Sequence, residues 1–235
     1  MRRAMRLFWK VFFATLGALV IGVLSMQGWY FAHVKWWVDH DPVSTAFMQT
    51  RLAELRDNDP KAKLRHTWVD YGGISAHLKR AVVAAEDAKF VDHDGFDWEG
   101  IQKALEKNET KGKVVAGGST ITQQLAKNLF LSGSRSWLRK GEEAVITWML
   151  ETTMNKRRIL EIYLNVAEWG NGVFGVEAAA RHYFGVSAGA LNAEQSAWLA
   201  AILPAPRRYD RGGSTPWVAK KAAILRSRMP GTQIP

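Results

Sequence analysis

Cysteine is absent from this 235-residue chain, which excludes disulfide bridges and thiolate chemistry. That suits an oxidising compartment without requiring one. Acidic residues are missing from positions 1–32, although 22 follow. Strand-like alternation is scarce, and there is neither an internal repeat nor a long low-complexity segment. The G-x-x-x-x-G-K-[ST] spacing of a nucleotide-binding P-loop is missing as well.

Hydrophobic residues at 47% and charged residues at 23% lie in the ordinary globular range. Net charge is +10; Arg2, Arg3, Arg6 and Lys10 account for the amino-terminal share, leaving +6 for the remainder. A basic surface suits phosphate groups, anionic lipid or nucleic acid, and charge alone does not choose among them. Eleven tryptophans suit an interfacial protein, with core packing as the plainer alternative for any one of them.

Val11 to Phe31 is 21 residues without a charge. At about 1.5 Å per residue it reaches about 32 Å, enough to cross a hydrocarbon core of about 30 Å. Trp29 and Tyr30 close the run as an interfacial pair, followed by Trp36 and Trp37. The basic residues before it predict an amino terminus held in the cytoplasm and an exported remainder. A cleaved signal peptide would have a shorter apolar core and a small-x-small site, and Leu24-Ser25-Met26-Gln27 offers none. The reading is therefore a basic tail at 1–10, a membrane helix at 11–31, a connecting region at 32–64 and one domain at 65–235.

That domain reads as mainly α. Turn signals lie at Asp41-Pro42 and Asn58-Asp59-Pro60, with a short helix at 51–56 between them. Ser75 is expected to cap a helix with Leu78, Val82 and Ala85 on its apolar face; Asp97 is expected to cap another carrying Ile101 and Leu105. Residues 108–118 read as a mobile polar stretch. Ser119 or Thr120 opens a helix to about Phe130, and a longer one covers 138–154 with Val145, Trp148, Met149 and Thr152 on one side. Helices at 156–166, 173–184 and 192–203 follow, punctuated by Gly172, Gly185 and Pro204, before a basic helix near the carboxy terminus.

Three segments carry candidate chemistry. In Glu86-Asp87-Ala88-Lys89-Phe90-Val91-Asp92-His93-Asp94-Gly95-Phe96-Asp97, Glu86 ends an apolar helix face. A carboxylate partly removed from water holds its proton to higher pH and can exchange it near neutrality. A purely structural pair of helix-end acids is the alternative. In Gly117 to Asn128, two glycines precede a helix whose free N–H groups face an anion, with Ser119, Gln123, Gln124, Lys127 and Asn128 near one face. The plainer account is a capped amphipathic helix after a flexible loop. In Arg135 to Glu143, three cations (Arg135, Arg139, Lys140) within six residues suit a diphosphate, or pair with Glu143 one helical turn on. Combined in an exported, tethered domain, acids and an anion site point to a lipid-borne phosphate leaving group.

The segments EDAKFVDHDGFD, GGSTITQQLAKNLFL, RKGEE and KRRILEIYLN occur in the order of motifs in the peptidoglycan glycosyltransferase family, which this chain resembles from about residue 65 to 210. WGNGVFGVEAAARHYFG and LNAEQSAWLAAILPAP continue the likeness. The resemblance implies a lysozyme-like, mainly helical fold with a membrane-associated subdomain beside the active-site cleft. It implies lipid II and the growing glycan strand as substrates, and undecaprenyl pyrophosphate as leaving group. Glu86 matches the general base that takes a proton from the acceptor 4-hydroxyl, giving inversion to a β-1,4 link. Glu143 matches a second essential acid that positions or stabilises the leaving group. Lys127 and Arg135 match the diphosphate cradle, aided by Ser119, Gln123, Gln124, Asn128, Arg139 and Lys140. The family is often assisted by magnesium or manganese, which the resemblance allows near Asp87, although no ligand cluster requires a cofactor or metal.

A bifunctional relative would carry S-x-x-K and K-T-G elements, and neither occurs here. A monofunctional enzyme of a bacterial inner membrane, its catalytic domain periplasmic, is expected, with membrane lipid and cell-wall synthesis or division proteins as partners and no nucleic acid. The competing readings are a lysozyme-like lytic enzyme, which shares a catalytic glutamate, and a non-enzymatic membrane scaffold.

Overall fold

The structure is a computed structural model that describes residues 2–112, 117–131, 136–210 and 215–235. The chain divides into two units, 1–40 and 41–235. The first is helix α1, Arg2–Trp36, which runs past the predicted apolar span at both ends. Within its 32-residue apolar stretch Met5–Trp36, an 18-residue window has a mean hydropathy of 2.1 and no buried share. Leu7, Leu19, Ile21 and Leu24 stand bare along it, as side chains do when lipid is their solvent. An apolar helix of this kind fits a single-pass membrane anchor.

The second unit is mainly helical: α2 Ala46–Arg56, α3 Ala76–Glu86, α4 Trp98–Lys111, α5 Ile121–Phe130, α6 Trp137–Thr153, α7 Lys156–Val166, α8 Val176–Phe184, α9 Ala193–Ile202, α10 Pro206–Asp210 and α11 Pro216–Arg228. Side-chain caps start most of them. Thr45, Ser75, Asp97, Thr120, Ser136, Asn155, Asn192 and Thr215 each accept a backbone N–H of the first turn. α7 lies deepest: Ile159, Leu160, Ile162, Tyr163, Leu164 and Val166 are all buried. Each fully buried aliphatic side chain stabilises the fold by about 2 kcal/mol before entropy is counted. α3 packs on α9, α9 on α11, and α5 on α6 and α7.

A small sheet departs from the sequence reading. β1 (Arg65–His66) pairs parallel with β3 (Val173–Phe174), which pairs antiparallel with β2 (Glu168–Gly170), giving the order β1-β3-β2. Val173 and Phe174 thus belong to a strand, and α8 starts only at Val176 because Gly175 adopts φ +80°. A Cβ at Gly175 would come within 2.7 Å of the Asn165 carbonyl oxygen. Buried Asn165 of α7 holds the segment that follows β1: its Oδ1 accepts from Val69 N and its Nδ2 donates to Val69 O, each at 2.9 Å.

Two further expectations are corrected. Asn108 to Lys111 are helical, because α4 continues to a left-handed cap at Gly112. The apolar residues expected on α4 and α6 stand partly on outer faces: Leu105, Val145 and Trp148 are exposed, as are Trp98, Trp137 and Leu138, while Met149 is buried. Helical periodicity identifies a stripe without saying which solvent it meets.

Candidate active site

Glu86 is the last residue of α3, whose Ala81, Val82, Val83 and Ala84 are buried and fix the helix end. Burial raises the Glu86 carboxyl above its ordinary value, opposed by a hydrogen bond from Gln124 and by the charges of Lys221 and Lys127. Gln124 Nε2 donates to Glu86 Oε2 at 2.9 Å, and Tyr163 Oη donates to Gln124 Oε1 at 2.9 Å. The acid is thereby aimed while its second oxygen makes no hydrogen bond to a described residue.

Asp87 does different work. Its Oδ2 accepts from the Ile121 amide at 3.0 Å, at the first turn of α5, and its Oδ1 accepts from His93 Nε2 at 2.9 Å. The Gly95 amide donates to His93 Nδ1 at 3.2 Å, so the ring proton sits on Nε2. Thr120 Oγ1 donates to the Gly95 carbonyl at 2.7 Å, closing the loop onto α5. A buried carboxylate at a helix N-terminus satisfies one orphan N–H and the helix dipole together. The acidic loop and α5 are thus locked to each other, which fixes Gln124 against Glu86.

The α5 face is not used as the helical wheel suggests. Gln123 is buried, its Oε1 accepts from the Thr120 amide at 3.0 Å in a capping box, and it does not line the cleft. Ser119, Gln124, Lys127 and Asn128 do line a cleft of about 800 Å³, together with Arg139, Lys140 and Glu143 of α6. A smaller pocket of about 180 Å³ touches Glu86, Asp87 and Gly117 to Thr120, and Ser119 borders both. Arg135 lies outside the described residues.

Glu143 is buried and accepts from Arg139 Nη1 at 3.1 Å and from Lys140 Nζ. The ion pairs written in the R-K-x-x-E spacing are therefore real, and they sit in the cleft. Arg139 Nε is buried with no hydrogen-bond partner among the described residues. A buried unpaired donor is costly, and an anion in the cleft would satisfy it. Protein around Lys127 pulls its ammonium below the ordinary lysine range, offset by Glu143.

A raised carboxyl in one pocket, beside a larger cleft that is lined by cations and shares Ser119 with it, suits proton removal next to a departing anionic group. The family model described as Transglycosylase matches residues 50–230. Proteins named biosynthetic peptidoglycan transglycosylase are similar over nearly the whole length. That of Methylobacillus flagellatus is 60% identical over 98% of this chain and 99% of its own, and that of an Azoarcus species 57% identical over 98% and 100%. The relative from Chromobacterium violaceum is 55% identical over 96% and 99%. This chain belongs to the peptidoglycan transglycosylase family. As in that family, the domain is helical and lysozyme-like, and the activity is that of a glycosyltransferase in cell-wall biosynthesis; the lytic alternative is not favoured. Transpeptidase motifs are absent from these 235 residues.

Sequence reasoning missed several parts of the transglycosylase site. Tyr163, within KRRILEIYLN, reads as core but orients Gln124. Lys221 of α11 is half-buried, donates weakly to the Ala201 carbonyl at 3.4 Å, and adds positive potential at Glu86. Glu168, Arg207 and Arg208 also line the cleft. The two-proline punctuation around Ala205 was the available signal for the last pair.

Proposed function

We propose that this transglycosylase elongates glycan strands from a lipid-diphosphate-linked disaccharide, with Glu86 as general base. The acceptor 4-hydroxyl gives its proton to the Glu86 carboxylate as its oxygen bonds to the donor anomeric carbon. The bond from that carbon to the diphosphate oxygen breaks, and lipid diphosphate leaves with the electron pair, inverting the centre to a β-1,4 link. Lys127, Arg139 and Lys140 receive the growing charge, with Arg135 as an expected fourth cation and Glu143 holding two of them in place. Fixed charges aimed at a developing anion act where transition state and ground state differ. The observation carrying this reading is the raised Glu86 carboxyl, oriented by Gln124 beside a cleft that also holds the Glu143 cation cluster.

Asp87 acts as a positioning residue in this reading, each of its oxygens accepting one N–H bond. We place α1 across the inner membrane with the amino terminus cytoplasmic and the catalytic unit periplasmic, following the basic flank. The bare apolar residues of α4 and α6 form the membrane-associated face. Tethering concentrates enzyme and lipid substrate in one bilayer.

The test is incubation of the full chain with lipid II in detergent, followed by gel separation of glycan. Polymer is expected from the unaltered protein and none from a folded Glu86→Gln variant. Release of fragments from preformed wall without polymer, or full activity in the variant, overturns the reading.

A further inference from the structure

α10 is five residues long, too short to hold itself. Its far end is pinned instead. Asp210 accepts from the Asn171 amide at 2.9 Å, His182 Nε2 at 2.6 Å and Tyr183 Oη at 3.2 Å. Buried Tyr209 stacks on Trp217 with centroids 5.8 Å apart and rings within 5° of parallel. A rigid stub therefore carries two arginines, Arg207 and Arg208, into the cleft lining.

Neither arginine makes a side-chain hydrogen bond to a described residue. Arg207 forms long ion pairs with Glu54 and Glu168, each at 3.7 Å and beyond hydrogen-bond reach, and about half of its side chain is exposed. Those two acids are already served by buried Arg51, which donates to Glu168 at 3.0 Å and also contacts Glu54. Arg208 has its guanidinium 5.8 Å from the Tyr209 ring, and no side-chain hydrogen bond from it is found among the described residues. Two forked donors thus face the cleft, separate from the α5 and α6 cations assigned to diphosphate.

We infer that Arg207 and Arg208 form a carboxylate subsite that grips the acidic peptide side chain borne by the glycan substrate. This rests on the glycosyltransferase reading and adds a determinant of which units are accepted. Guanidinium pairs bidentately with a carboxylate. Arg51 and Arg207 together balance Glu54 and Glu168, which leaves Arg208 as the net charge of the subsite, so a singly charged group fits it better than a dianionic phosphate.

The experiment compares kcat/KM on lipid-linked disaccharide carrying its peptide with kcat/KM on the same lipid disaccharide stripped of peptide, for unaltered full chain and for Arg207→Gln with Arg208→Gln. The unaltered enzyme should prefer the peptide-bearing unit, and the double variant should lose that preference by about tenfold, with far less change on the stripped unit. Equal losses on both substrates would assign the arginines to diphosphate or to the scaffold, and overturn the inference. An unchanged preference overturns it as well. Inactivity of the unaltered enzyme on both substrates would instead strike the glycosyltransferase reading beneath it.

Discussion

Gln124 holds Glu86 by a single hydrogen bond, Nε2 to Oε2 at 2.9 Å, and is itself held by Tyr163. That bond favours the ionised acid, against the burial that raises it. Gln124→Ala removes it, so the Glu86 carboxyl should titrate higher still. A base must be deprotonated to act, so the acidic limb of the kcat/KM profile should move to higher pH. A drop in rate with an unmoved limb would show that Gln124 does not set the proton affinity of the base.

The same burial has a consequence for stability. Glu86 has a folded-state pKa above its unfolded value, so its contribution is fully present below the unfolded pKa and is lost as pH rises through the folded one. At neutral pH the ionised acid therefore costs the fold something that Glu86→Gln does not. The variant should melt about 2–4 °C above the unaltered protein at pH 7 and lose that advantage toward pH 4. Thermal melts across that range decide it; a variant less stable at pH 7 refutes the sign.

Much of this site was legible in the sequence, and the illegible parts share a cause. Ser75, Asp97 and Thr120 announced helix starts because capping is local chemistry, written within four residues. Thr120-x-x-Gln123 was equally readable as a capping box, and would have removed Gln123 from the ligand face. The sheet was not readable: strands of two or three residues show no alternation, and β1 meets β3 from over a hundred positions away. Tyr163 and Arg207 reach the cleft, and Lys221 lends its charge to Glu86, from elements outside the three segments that carry candidate chemistry, and only tertiary packing brings them there.

Glu143 anchors Arg139 and Lys140 at the same time, so its charge both places and partly cancels them. Glu143→Gln raises the net positive charge of the cleft by one while releasing both side chains. Binding of the lipid diphosphate should hold or tighten, and kcat should fall by at least about a hundredfold, since misplaced cations no longer meet the transition state. Single-turnover and equilibrium binding measurements separate the two. Weakened carrier binding with kcat intact would place Glu143 in ground-state recognition instead.

The apolar stripe of α6 begins with Trp137 and Leu138, 93% and 85% exposed, and continues through Trp148 at 59%. Side chains this bare contribute little to packing, so replacing them should leave the fold nearly untouched. In a bilayer they should matter, because each buries apolar surface worth about 25 cal/mol per Å² when it enters lipid. Trp137→Asp with Leu138→Asp should preserve the melting temperature in detergent and the polymerisation of a short-chain, water-soluble substrate. Turnover of long-chain substrate in vesicles should fall about tenfold or more. Equal activity on both substrates would mean that α1 alone brings the enzyme to its substrate, and that this face has another partner.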